Sequence, residues 1–394
     1  VGLVPALVVS WFFDISTEGL VRDDGADDDS TAPARKGLRR FDYVTISLLT
    51  VLVTLFAFDR LGMDEEPVNA TPQASLEPSI AVLPFENRSG NPDDVYFVDG
   101  IHDDIISSIG RIGAMKVIAR TSVEGFTGPG ISIADIGAEL GVTAILEGGI
   151  QRAGDTVRIN VRLIDVASES SRWVNDFERQ LTTENIFAIQ SEISQTVASS
   201  LQAVMTPDEK SRIEAVPTKS LEAYELYLLG NQRIRRLTGD SLREAVGYFE
   251  RAIDLDPAFA LAYVGLANSL NLTSLRTGEN RADYLAPALA AAERAIALEP
   301  QLGEAYAALG AIHHWKRTGE DAEPFFLRAI ELSPNDATAY AEYGQYLLSP
   351  RGGARAEKAV ELLEKAIALD PLSPRSNTWL GEAYWRTGRL IDAE

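Results

Sequence analysis

From Val157 to Leu163, the apolar residues Val157, Ile159, Val161 and Leu163 alternate strictly with Arg158, Asn160 and Arg162. A period of two sets one face of a strand against a core and the other in water. Residues 143–152 and 156–165 pair as a hairpin through the turn "AGD", and residues 171–181 can add another strand. Residues 80–85 and 115–119 are short apolar runs suited to buried strands, with Pro84 near the end of the first. Elsewhere the spacing becomes helical. Ile101, Ile105, Ile106, Ile109 and Ile112 form one apolar face, with Asp99 fitting the N-cap. Residues 133–140 make a short helix ended by Gly141, and Ile186, Ile189, Ile193, Val197, Leu201 and Val204 mark a long one. These elements predict a compact α/β domain over residues 79–205.

After Ser220 the chain repeats itself. "AIDLDP", "AIALEP", "AIELSP" and "AIALDP" place prolines at 257, 300, 334 and 371. Alanine sits twelve residues before each proline (Ala245, Ala288, Ala322, Ala359) and five before (Ala252, Ala295, Ala329, Ala366). Phe249, Ala292, Phe326 and Leu363 sit eight before. Leu229-Gly230, Leu266-Ala267, Leu309-Gly310, Tyr343-Gly344 and Leu380-Gly381 come early in each unit. A period near 34 residues with small residues at fixed offsets is the tetratricopeptide pattern, in which two helices per repeat stack into an all-α solenoid. Residues 220–394 hold four complete repeats and a truncated fifth, and the extra residues at 271–283 lengthen one turn.

The region before residue 79 has a different texture. Residues 43–58 carry no charge, and residues 43–61 give nineteen positions if Asp59 and Arg60 sit at an interface. That length suits a transmembrane helix. Arg35, Lys36, Arg39 and Arg40 precede the run and only Arg60 follows closely, so residues 16–42 are expected in the cytoplasm. Residues 1–15 read as the end of an earlier transmembrane helix, and residues 62–78 as a linker. Everything after residue 61 is then expected beyond the membrane, which is the periplasm of a bacterium with an inner membrane. The chain opens inside an apolar run and stops inside a helical one, so it reads as a fragment.

Composition narrows the chemistry. Lys and Arg number 36 against 58 Asp and Glu, a net charge of −22, which argues against a nucleic-acid partner. There is no cysteine, hence no disulfide and no thiolate metal site. No cofactor is expected, since no glycine-rich phosphate loop and no nucleophile elbow is present. Asp93, Asp94, Asp99, Asp103 and Asp104 crowd around His102, but carboxylates at a helix start complement its dipole without catalysis. Gly148-Gly149 reads as a bulge. His313 and His314 point about 100° apart on a helix and cannot share a metal. His313 packs between helices, whereas His314 is expected to face the groove. No enzymatic activity is expected of these residues.

"SIAVLPFENRSGNPDDVYFVDGIHDDI", "VIARTSVEGF", "IGAELGVTAILEGGIQRAGDTVRINVRLIDVASESSRW" and "IFAIQSEIS" together resemble the TolB amino-terminal-like (FlgO-like) domain. The resemblance spans residues 79–205. "PALVVSWFFDISTEGLVR" resembles the membrane portion of bacterial proteins that join such a domain to tetratricopeptide repeats. It implies a periplasmic interaction module anchored in the bilayer and supplies no catalytic residues.

In a solenoid the first helices of successive repeats line a concave groove. Counting from the prolines puts Asn231, Arg235, Asn268, Asn271, His314, Trp315, Gln345, Trp385 and Arg386 on that face, facing a protein or peptide ligand. The expected function is a membrane-anchored periplasmic scaffold. The alternative is the exported sensory half of a signalling protein (an adenylate cyclase, kinase or winged-helix regulator) whose cytoplasmic effector lies outside this sequence. Peptidoglycan or small-ligand binding by the α/β domain is a weaker third class.

Overall fold

The structure, a computed structural model, describes residues 13–16, 19–22, 77–127, 130–277, 280–316, 321–350 and 355–389. The chain divides into two units, Val1–Ala74 and Ser75–Glu394. In the first, β1 (Phe13–Ser16) and β2 (Gly19–Arg22) pair antiparallel, with Phe13 opposite Arg22. Phe13–Ile15, expected at the end of a helix, are therefore strand. Phe13 and Ile15 alternate with Asp14 and Ser16, which is a strand period. No helix among the described residues is long and apolar enough to cross a membrane, and the span expected at 43–61 lies outside them.

The second unit begins with a mixed sheet. Its strands are β3 (Ser79–Val82), β4 (Glu86–Asn87), β5 (Lys116–Val117), β6 (Ala144–Ala153), β7 (Thr156–Asp165) and β8 (Ser171–Gln180), ordered β5-β3-β6-β7-β8 with β4 also paired to β6. Strands β3, β4 and β5 run parallel to their partners, whereas β6, β7 and β8 are antiparallel. The alternation read in β7 is realised, since Val157, Ile159, Val161 and Leu163 are all buried. They meet α1 (Val95–Gly110) on one face of the sheet. The short α2 (Arg120–Val123) and α3 (Ile133–Leu140) join a smaller cluster with Ala81 and Ile145. Helix α4 (Thr183–Ser200) completes the first core.

Three local expectations change. Asp99 lies inside α1, because Asn91 and Pro92 start the helical run earlier and Asn91 caps Asp93 N. The last helix ends at Ser200 and leaves Val204 exposed, since Gln202 adopts φ 58°. Gly148 and Gly149 keep unbroken register with β7. The extra residue lies opposite them, because Val82 pairs with Leu146 but Glu86 pairs with Gly149, and Pro84 fills the break. The glycines serve close approach. A Cβ on Gly148 would lie 2.2 Å from the Asn160 carbonyl oxygen, and one on Gly149 would lie 2.6 Å from the Arg88 side chain.

Helix α5 (Pro207–Glu214) starts with a reciprocal cap between Thr206 and Glu209 and leads into the solenoid. The solenoid pairs α6 (Leu221–Arg235) with α7 (Gly239–Leu255), α8 (Ala260–Arg276) with α9 (Ala282–Leu298), α10 (Gly303–Lys316) with α11 (Glu323–Leu332), and α12 (Ala337–Leu348) with α13 (Ala356–Leu369). Helix α14 (Pro374–Arg386) opens a fifth repeat. Each second helix stops two residues before its proline. The intervening Asp256, Glu299, Ser333 and Asp370 all leave helical geometry, as a residue preceding proline must. All eight alanines of the repeat pattern are fully buried. The insertion at 271–283 extends α8 through Arg276 and starts α9 at Ala282, so it lengthens helices as well as their turn.

Ala329→Leu should overpack this register and cost about 1–3 kcal/mol. Chemical denaturation of the variant checks it, and a midpoint equal to wild type would refute the alanine register.

The α/β part and the solenoid, expected as separate domains, share one hydrophobic cluster. It runs from Ile80 and Ile105 to Tyr224, Leu228 and Phe259. Gly100 makes this possible, since a Cβ there would lie 2.5 Å from Leu228 on α6. The turns of later repeats dock as well. Asn335 donates to the Gly110 and Ile112 carbonyls at 3.1 Å each and accepts from Val117 N at 3.1 Å. Asp370 accepts from Thr121 Oγ1 at 2.6 Å and Ser122 Oγ at 2.5 Å, and Ala119 N donates to the Leu369 carbonyl at 2.8 Å.

Candidate functional site

The first helices of the repeats, α6, α8, α10, α12 and α14, carry the residues expected to line a groove. The first part of that face is turned against the chain's own α/β domain. Arg235 on α6 donates to Asp103 at 2.8 Å and Asp99 at 3.3 Å, both on α1. Arg120 reaches Asp103 from the other side at 2.5 Å. The acidic cluster at 93–104 is thus partly an ion-pair network between the two modules. His102 is buried, with Nε2 2.9 Å from the Val82 carbonyl, and burial lowers its imidazole pKa. Among the described residues no group of three His, Cys, Asp or Glu side chains could hold a metal ion.

Asn231 and Asn268 also face the α/β domain, across a cavity that Asp104, Arg111, Arg212 and Glu304 share. Arg111 donates to Glu304 and to the Arg212 carbonyl, each at 3.2 Å. Asp104 accepts from Tyr224 Oη at 2.5 Å. Burial pushes the Asp104 carboxyl up to about 7, against the opposing effect of that hydrogen bond.

Two more of the nine residues are buried. Asn271 is 5% exposed and His314 6%. His314 stacks on Trp315 at 4.5 Å and meets Tyr346 edge-on at 5.6 Å, so it packs between helices instead of facing the groove. The expectation failed for His314 because Tyr346 of α12 packs against this end of α10. His313 does pack between helices, stacked on Phe325.

The remaining residues belong to the later repeats. Trp315 Nε1 donates to Glu342 at 3.4 Å, and Glu342 accepts from Arg375 at 2.9 Å. The Arg375 guanidinium lies 5.0 Å from the centre of the Trp379 ring. Trp315, Glu342, Arg375 and Trp379 therefore form one chain across α10, α12 and α14. Glu342 is buried, which raises its carboxyl pKa against the pull of Arg375. The Arg375 side chain is half exposed. Gln345 is half-buried beside this chain in sequence, with Oε1 lacking a hydrogen-bond partner. Arg386 donates to the Leu348 carbonyl at 2.6 Å and to Glu382, and Trp385 is 67% exposed. Glu342, Arg375 and Trp379 escaped the sequence reading. Their positions relative to the prolines would have found them, since they sit on the same helices as Gln345 and Trp385.

A pH effect follows from Asp104. The native state keeps its proton between about pH 4 and about pH 7, where the unfolded chain has lost it. Stability therefore falls as pH rises through that window. Asp336, which burial pushes up to about 6, acts in the same direction. Wild type should melt higher near pH 5 than near pH 7.5. Asp104→Asn, which still offers Tyr224 an acceptor, should flatten the profile; an unchanged slope would count against the assignment.

The tetratricopeptide repeat family model matches residues 352–394. A protein of Rhizobium meliloti (strain 1021) named "Putative adenylate cyclase 3" is 36% identical over 254 residues, which is 64% of this chain and 43% of that protein. The chain thus spans less than half the length of that relative. A tetratricopeptide protein of Thermus thermophilus is similar at 23% identity and a TM-score of 0.36, covering 43% of this chain and 86% of that one. TolB from Acinetobacter baumannii is similar at 17% identity and a TM-score of 0.26, covering 33% of this chain and 29% of that one. The structure is a solenoid of paired helices joined to a small mixed-sheet domain, and the tetratricopeptide repeat model matches the end of that solenoid.

Proposed function

We propose that this chain is a membrane-anchored periplasmic scaffold, and that its solenoid takes a protein partner on the inner face of the later repeats. The observation that carries the reading is the Trp315–Glu342–Arg375–Trp379 chain. It combines aromatic surface with a half-exposed guanidinium on three successive first helices, and tryptophan and arginine are the side chains that dominate protein interfaces. The first part of the groove is filled by α1, so an extended ligand has only the later part to occupy. Membrane anchoring rests on the apolar run at 43–61, and the basic flank before it gives the orientation. The FlgO-like reading of residues 79–205 rests on the quoted motifs.

Probing a peptide array with the full chain tests the surface. Arg375→Glu and Trp315→Ala should abolish capture of peptides that wild type retains, and equal capture would end this reading. An alkaline phosphatase fusion after Glu66 should be active in a bacterial host. Inactivity there, with an active cytoplasmic reporter at the same site, would reverse the orientation.

The second reading, the exported sensory half of a signalling protein, is favoured by one observation. More than half of the relative named for adenylate cyclase lies outside the match. A cyclase domain encoded upstream of Val1, together with cyclic AMP production by the whole gene product, would establish it.

A further inference from the structure

Residues 110–122 leave α1, form β5 and enter α2, and they meet the starts of three solenoid helices in order. Arg111 donates to Glu304, in the first turn of α10, at 3.2 Å. Asn335, just before α12, donates to the Gly110 and Ile112 carbonyls and accepts from Val117 N. A Cβ on Gly113 would lie 3.4 Å from Pro334 in the same turn. Asp370, just before α14, accepts from Thr121 and Ser122. Beside it Ala119 N donates to the Leu369 carbonyl, and Leu372 N donates to Ser122 Oγ at 2.9 Å. The turn before α8 is built otherwise, since its Asp256 accepts from Thr218 at 2.6 Å.

The other side of this segment is fixed to the sheet. Lys116 N donates to the Pro78 carbonyl at 2.8 Å, and Ile118 N donates to the Ile80 carbonyl at 3.0 Å. Val117 N lies between them and points to the open edge, where Asn335 accepts from it. Met115, Val117 and Ile118 are buried, so the segment cannot slide without exposing apolar surface. In a stack of repeats each unit touches only its neighbours, and curvature accumulates from small rotations between them. Residues 110–122 bypass that rule by joining the entrances of the third, fourth and fifth repeats to one sheet edge.

We propose that residues 110–122 are a strap that holds α10, α12 and α14 at fixed spacing, so that the α/β domain sets the shape of the surface these helices carry. They are the three helices of the Trp315–Glu342–Arg375–Trp379 chain. Trp315 lies at the opposite end of α10 from Glu304, so a small rotation at the gripped end swings the ring away from Glu342. The consequence for binding rests on the partner reading given above, whereas the control of spacing does not.

Distance measurement by pulsed electron spin resonance on the full chain in detergent tests the strap. The chain has no cysteine, so Glu293→Cys on α9 and Glu361→Cys on α13, both exposed, take spin labels at defined places. The labelled protein should give one narrow distribution. Adding Asn335→Ala and Asp370→Ala should displace it or widen it roughly twofold, because the repeats then depend on their neighbours alone. The same variant should bind the peptides that wild type retains at least roughly tenfold more weakly. Arg375→Glu should also lose those peptides but leave the distribution unchanged. If the double variant loses its helical circular dichroism, Asn335→Ala by itself, which removes three of the hydrogen bonds, takes its place. An unchanged distribution in a folded variant overturns the proposal, and so does unchanged peptide affinity beside an altered distribution. If wild type retains no peptide, the partner reading falls and the distribution still decides the strap.

Discussion

Phe249→Ala is expected to lower the stability of the folded unit by about 3–5 kcal/mol, the usual cost of deleting a buried aromatic ring. Phe249 is completely buried in α7, between Gly230 on α6 and Gly265 on α8. A Cβ at Gly230 would lie 2.6 Å from the ring, and one at Gly265 would lie 2.3 Å from it. The two glycines and the phenylalanine are thus one packing unit across three helices. The third repeat uses the same solution, with Gly310 against Phe326, and the fourth sets Gly344 against Leu363. The second repeat has Ala267 and Ala292 at the corresponding positions, a trade of volume between facing helices. This predicts a sign reversal. Gly265→Ala should destabilise wild type, because the methyl meets the ring. In the Phe249→Ala background it should stabilise by up to about 1 kcal/mol, because it partly fills the void and glycine is a poor helix former. Denaturant titrations of wild type and the three variants decide the matter. A loss below about 1 kcal/mol for Phe249→Ala, small for any buried ring, or the same sign for Gly265→Ala in both backgrounds, would show that this packing unit does not exist.

Arg120→Ala should cost about 2–4 kcal/mol, toward the lower end of what breaking a buried ion pair costs, because Arg235 remains as a partner. Arg120 is the first residue of α2 and reaches across to α1. It donates to Asp103 at 2.5 Å, to the Asp99 carbonyl at 2.9 Å and to Glu124 at 2.7 Å, with its side chain 18% exposed. Asp103 is held from the other side by Arg235. Removing Arg120 leaves a largely buried carboxylate with half its compensation. Burial already pushes the Asp103 carboxyl above its usual range, with the two arginines pulling it back. Asp103→Asn in the Arg120→Ala background should therefore recover part of the loss. The double-mutant cycle measures this coupling directly. Additive effects would mean that the network contributes geometry without energy. Since Arg235 belongs to the solenoid, limited proteolysis of Arg120→Ala should also show faster cleavage between residues 205 and 220, where the two modules connect.

The residues themselves determined the repeats and the sheet's wet and dry faces. Both depend on contacts that recur at short, regular intervals. Every first helix must admit its second helix closely, so small residues return at the same offset from each proline, and all eight alanines are buried. Every second residue of β7 must enter the core, so Val157 to Leu163 alternate. Recurrence of this kind is visible in a single chain. The docking of the α/β domain on the solenoid could not be read this way. Thr121 meets Asp370 across 249 positions, and Val117 meets Asn335 across 218. Each such contact is made once, and Asn335 and Asp370 flank prolines where any turn-forming residue would pass without notice. For the same reason the groove residues divided. Helical phase alone put Asn231, Arg235 and Asn268 on one face, and the structure sets those residues against the α/β domain. Only the fold shows that α1 and its neighbours fill the first part of the face, while Trp315, Glu342, Arg375 and Trp379 meet beyond it. Phase along one helix is a local property, set by 3.6 residues per turn. What lies opposite a helix is settled by distant chain packed against it, and no spacing records that.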